Sequence, residues 1–81
     1  MIVKSKNIAT EIATLLDDFL LIQKDISKVQ NIYDVVIREV EIAIIKKVMR
    51  IMNGNKTKVS QVLGISRNTL NKKIQKLDID G

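Results

Sequence analysis

The chain has 81 residues, enough for one domain whose core stays small unless a partner chain adds buried surface. It has no cysteine and no histidine, which excludes disulfides and removes the two commonest transition-metal ligands; aromatics are 2% of residues against an apolar fraction of 46%, so Ile, Val and Leu must build the interior. The net charge of +5 is unevenly spread: residues 1–45 carry five basic and seven acidic side chains, residues 46–81 nine basic and two acidic, so the C-terminal part either faces a polyanion or carries a solvated lysine-rich surface.

No proline and only three glycines favour long helices over a turn-rich β protein. Apolar stretches are broken by Arg38, Glu39, Glu41 and Lys46, and none reaches the roughly 20 residues that span a bilayer. No apolar run follows the N-terminal lysines, so no secretory signal is expected. The expected setting is the cytoplasm.

The first helix is predicted from about Asn7 to Gln23, on Ile8, Ile12, Leu15, Leu16, Phe19 and Ile22 at helical spacing. Asn7 or Ser5 caps its start, and Glu11 lies early, where the helix dipole favours an acid. Lys24 to Lys28 read as the connection, with Ser27 or Asn31 opening the next helix.

The second helix is predicted from about Val29 to Met52 and carries two apolar stripes. One is Tyr33, Ile37, Val40, Ile44, Val48 and Ile51; the other is Val35, Ile42, Ile45, Met49 and Met52. A surface helix of a monomer needs one stripe. Two need cover on both sides, and the chain supplies about one cover. The first stripe is therefore assigned to the interface with a second copy; the alternative is one wide stripe within a compact monomer. Asn53-Gly54-Asn55 ends the helix, Gly54 having access to the left-handed conformation.

Gly54 to Ile74, GNKTKVSQVLGISRNTLNKKI, reads as a helix-turn-helix. Val59, Val62 and Leu63 give a short helix an apolar face, and Ser60 is small where two helices cross. Gly64 makes the turn, Ile65 plugs it into the core, and Ser66 caps the last helix. Leu70, Ile74 and Leu77 form that helix's buried stripe, with Ile74 one residue later than the usual pattern places it. Its outward face then shows Arg67, Asn68, Asn71, Lys72 and Gln75. Arg67 suits a bidentate contact to guanine; Thr69, Lys72 and Lys73, with Asn55 and Thr57 before the preceding helix, suit phosphates. The alternative is an αα-hairpin with a soluble face.

These residues carry a resemblance. YDVVIREVE, Tyr33 to Glu41, and GNKTKVSQVLGISRNTLNKKI resemble the Fis family of bacterial nucleoid-associated proteins and the similar C-terminal domains of NtrC-type activators. The resemblance covers about residues 30–77 and is most specific in the second stretch. It implies an all-α fold of four helices per chain in an intertwined homodimer, binding and bending double-stranded DNA in the nucleoid. By position it assigns Ser66, Arg67, Thr69, Lys72 and Lys73 to DNA contact from the last helix, and Asn55 and Thr57 to backbone contact. Three departures are visible. Asn71 stands where the family usually has a basic residue, Ala43 stands where a proline often interrupts the long helix, and about seven residues precede the first helix. That is too few for the β-hairpin arm of Fis proteins that stimulate DNA invertases, so no such stimulation is expected.

An enzyme is not expected: no phosphate-binding glycine loop and no clustered acid–base pair is present, and the adjacent Asp17 and Asp18 fall on different faces of a helix. Neither a cofactor nor a small-molecule substrate is expected. The remaining alternatives to a free-standing DNA-bending protein are the DNA-binding output domain of an NtrC-type activator and a helical oligomerisation module without a nucleic-acid partner.

Overall fold

The computed structural model describes residues 7–22 and 29–79, in four α-helices: α1 (Ile8–Leu21), α2 (Ile32–Ile51), α3 (Lys56–Leu63) and α4 (Arg67–Lys76). Among the described residues there is no strand. The chain divides into two units, one holding α1 and the other running from Asn31 onward.

In α1 the start is fixed locally. The Asn7 side chain accepts the Ala9 N–H at 2.7 Å, satisfying one of the donors a helix start leaves unpaired. Asn7 is thus the cap; Ser5, the other candidate, lies outside the described residues, as do Gln23, Ser27 and the segment before Asn7. No residue of α1 is buried, and its apolar stripe stands exposed at Ile8, Leu15 and Ile22.

α2 begins at Ile32, three residues later than the apolar pattern alone predicts. Asn31 precedes it with φ 63°, a left-handed conformation, and makes no side-chain cap bond. A helix start needs extended backbone at the cap for the side chain to reach forward. Asn31 therefore opens the helix through its carbonyl, which accepts the Val35 N–H at 2.9 Å. The helix then continues through Ala43 to Ile51.

The core of the second unit is built from Ile45 and Met49 of α2, Val59 of α3, Leu70 of α4, and Leu77 and Ile79 beyond it. Val59 and Leu70 are fully buried. Ile42, Val48, Met52, Leu63, Ile65 and Ile74 pack around them. The stripe of α2 turned to this core is the one predicted on Ile42, Ile45, Met49 and Met52, with Val35 exposed at its N-terminal end. Val62, expected inside, is 56% exposed: one residue before Leu63 and three after Val59, it sits at the margin of a face that an eight-residue helix keeps narrow.

All three helices of this unit end alike, with one N–H bonding five residues back and the preceding one three residues back: Gly54 to Met49 and Asn53 to Arg50, Ile65 to Ser60 and Gly64 to Gln61, Ile79 to Ile74 and Asp78 to Gln75. This double bond pattern satisfies carbonyls that the helix end leaves open, and needs a left-handed residue each time. Asn53 (φ 53°), Gly64 (φ 76°) and Asp78 (φ 55°) supply it. Gly54 is also left-handed, so Asn53 and Gly54 together make a tight turn closed by the Asn55 N–H on the Met52 carbonyl at 3.0 Å. The sequence alone assigns that closure to Gly54, and the structure divides it between the two residues. The last motif explains Ile79, a core residue that periodicity does not mark: chain reversal at Asp78 returns an apolar side chain to the helix it has just left.

Candidate nucleic-acid interface

The angle between α3 and α4 is fixed by a three-residue connection. Gly64 reverses the chain, Ile65 packs on the core, and Ser66 starts α4 from extended backbone. The Ser66 Oγ accepts the Thr69 N–H at 3.0 Å and donates to the Thr69 Oγ1 at 2.9 Å. At the crossing, Ser60 is buried, as its size predicts, and its hydroxyl donates to the Thr57 carbonyl at 2.8 Å, so its burial leaves no polar group unpaired. α3 opens the same way as α4: the Asn55 Oδ1 accepts the Lys58 N–H at 3.2 Å, leaving the side-chain NH2 as a donor.

With Leu70 and Leu77 buried, the other side of α4 faces water. Asn55, Thr57, Ser66, Arg67, Asn68, Thr69, Asn71 and Lys72 are all exposed. Arg67 donates from Nη1 to the Thr57 Oγ1 at 3.2 Å, joining the first residue of α4 to the first turn of α3. That bond uses one of five guanidinium donors and fixes where the others are held. Lys56 from α3 meets Asn68, Asn71, Lys72 and Gln75 of α4 around a shallow concavity floored by Ile74. Amides and ammoniums side by side, with two helix N-termini adjacent, form a donor-rich surface suited to anionic ligands.

Lys73 stands apart from this set. Its Nζ lies 2.6 Å from the Glu41 Oε2 on α2, and both side chains are 35% exposed. The structure thus leaves eight of the nine sequence-selected residues exposed and carries the ninth toward α2. Glu41 and the Thr57–Arg67 bond escape a reading of the sequence. The only local signal for Glu41 is its place one helical turn before Ile45, on the stripe that packs inward.

Of the residues assigned to the first stripe of α2, Tyr33 is 76% exposed and Ile37, Ile44 and Ile51 are also exposed, whereas Val40 is half-buried and Val48 packs on the core. An apolar groove lined by Glu41, Ile44, Ile45, Leu63, Ile65 and Lys73 runs beside it.

Two short helices crossing over a glycine turn, the second with a capped start and a donor-rich outer face, define a helix-turn-helix protein. The profile of the family described as "Bacterial regulatory protein, Fis family" matches residues 36–77. The chain is 35% identical over 74 residues to the DNA-binding protein Fis of Haemophilus influenzae, an alignment covering 91% of this chain and 74% of that protein. It is 44% identical over 64 residues to the DNA-binding transcriptional regulator NtrC of Azospirillum brasilense, covering 79% of this chain but 13% of the regulator. It is 41% identical over 51 residues to a putative Fis-like DNA-binding protein of Pseudomonas aeruginosa, covering 63% of this chain and 49% of that one. No solved structure matches the chain. The chain belongs to the Fis family of bacterial regulatory proteins.

Proposed function

We propose that this protein is a DNA-binding regulator that works as a homodimer and inserts α4 into the major groove. One observation carries the proposal: α4 is held by a buried stripe, a capped start and the Thr57 bond while its whole outer face offers hydrogen-bond donors to solvent. Arg67 and Asn68, at the N-terminal end of α4, are suited to base edges. Lys72, Asn71 and Thr69, with Asn55 and Thr57 at the start of α3, are suited to backbone phosphates. Ser66 acts chiefly through its cap. Lys56, Lys58 and Lys76 add positive charge for flanking DNA.

The dimer rests on α2. Its exposed apolar residues Tyr33, Ile37, Ile44 and Ile51 lie on a helix whose other stripe already serves the core of its own chain. A second copy offers an identical apolar stripe, which makes a two-fold interface self-complementary. The Haemophilus relative, a DNA-binding protein covered over 74% of its length, supports DNA as the ligand. The alignment to NtrC, confined to 13% of that regulator, favours a second reading in which the same surface serves as the DNA-binding output module of a larger activator.

Titration of random and AT-rich duplexes at several salt concentrations tests the proposal. Affinity should fall steeply with salt, with a logarithmic slope near 0.9 for each phosphate neutralised. A helical oligomerisation module would show no such binding at any salt.

No helix among the described residues is long and apolar enough to cross a membrane.

A further inference from the structure

We infer that Glu41 and Lys73 form a positioning pair that sets α4 on α2, and that Lys73 acts through Glu41 rather than on a phosphate. The inference rests on the DNA-binding reading and specifies how that site is held. The pair is the one side-chain bond from α2 to α4 found among the described residues, and it joins positions 32 residues apart at 2.6 Å. It lies at the rim of the core: Glu41 is one turn before the buried Ile45, and Lys73 is adjacent to the packed Ile74.

Leu70 and Leu77 join Val59, Ile45 and Met49 in the core beneath the pair, but the hydrophobic effect that buries them is itself non-directional. A short charge-assisted hydrogen bond has direction. Placed beside Ile74, toward the middle of α4, it fixes the roll that decides which side chains face outward. Because α2 also carries the apolar stripe assigned to the partner chain, the pair ties the reading head to the element that spaces the two heads of a dimer.

Simple electrostatics and positioning predict opposite signs for one variant. Glu41→Gln removes a negative charge and frees Lys73. If Lys73 served phosphates, DNA binding should tighten. If the pair positions α4, binding should weaken several-fold. The experiment measures affinity and salt slope for wild type, Glu41→Gln, Lys73→Gln, the double variant, and Lys72→Gln as a control at a phosphate-facing lysine, each with its melting temperature.

The expected result is an equal several-fold loss for Glu41→Gln and Lys73→Gln, no further loss in the double variant, and an unchanged salt slope. Lys72→Gln should lower the slope by about 0.9, the value for one phosphate left unneutralised. Charge exchange, Glu41→Lys with Lys73→Glu, should restore most of the affinity that either single reversal removes. A slope reduced by Lys73→Gln as by Lys72→Gln, or tighter binding by Glu41→Gln, would overturn the inference. Wild-type protein that binds no duplex at low salt would instead overturn the DNA-binding reading. In that event the non-additive melting temperatures of the four proteins still report on the pair itself.

Discussion

Leu70 and Arg67 sit one turn apart on α4 and answer to different tests. Leu70 is fully buried in a core of few residues. Leu70→Ala removes buried methyl groups and leaves a cavity, a change that typically costs about 2–5 kcal/mol. Domains of this size rarely draw more than about 3–5 kcal/mol from a single core, so urea denaturation should find the variant at or past the edge of folding. A midpoint within error of wild type would show that α4 is not held by this stripe. Arg67 is exposed and contributes nothing to that core. Arg67→Ala removes only the exposed hydrogen bond to Thr57, so it should shift the urea midpoint far less than Leu70→Ala, and it should lower affinity for preferred sites by roughly 1–3 kcal/mol, with relaxed base preference. Equal loss on every sequence would show that Arg67 meets phosphate and not base. The burial of Leu70 and the exposure of Arg67 were legible in the sequence because each follows from spacing within one helix. Glu41 was not: its meaning depends on Lys73 arriving from 32 residues away, and no local pattern marks that meeting.

The turns decide the elements. Helix type and order were legible from periodicity and from Gly64 and Ser66, whose conformational demands are local. The start of α2 was legible only approximately, because Asn31 is left-handed and a side-chain cap does not form. The shared ending of α2, α3 and α4 was hidden for another reason: glycine advertises a left-handed residue, whereas Asn53 and Asp78 take that conformation without so clear a signal. Gly64 gives the sharpest test. A Cβ built there meets nothing within 4 Å, so any cost of substitution is conformational and not steric crowding. Gly64→Ala should cost about 1–2 kcal/mol, the penalty of left-handed backbone for an L-residue. Gly64→Asn should cost less, since asparagine tolerates that region, and Gly64→Val should cost most. Thermal melting of the three variants gives the order, and an order that follows side-chain volume alone would contradict the conformational account.

At the scale of the whole molecule, the two stripes of α2 were legible in the sequence; packing turns Ile45 and Met49 inward and leaves Ile44 46% exposed. That contrast predicts different failures for neighbouring substitutions. Ile45→Asp should unfold the protein, since burying an unpaired charge costs as much as the stability of a small domain. Ile44→Asp should act first on association, turning a dimer at micromolar concentration into a weaker or dissociating one by sedimentation. A wild-type chain that sediments as a folded monomer at that concentration would remove the dimer.

DNA bending is what the resemblance to Fis implies, and it would depend on the proposed dimer and its symmetry. Two copies related by a two-fold axis present two α4 helices to the same side of a duplex, and straight B-DNA repeats its major groove about every 34–36 Å. The resemblance to Fis dimers implies a smaller separation between the two helices. Both can then enter successive grooves only if the duplex curves and narrows the minor groove between them. That deformation costs of order 1–6 kcal/mol, and the cost is lowest where the central sequence is flexible or already narrow. Affinity should therefore respond to central base pairs that no side chain reaches, with AT-rich centres bound more tightly than GC-rich ones when the flanking sequence is the same. Lys56 and Lys58 on α3 and Lys76 at the end of α4 can attract the flanks as they curve toward the protein, so neutralising them should reduce the bend more than it reduces central-site preference. Circular-permutation gels should show slowest migration with the site at the centre of the fragment. Mobility independent of site position, together with affinity indifferent to the central sequence, would mean that the two helices meet straight DNA and that their spacing in this protein matches a full groove repeat.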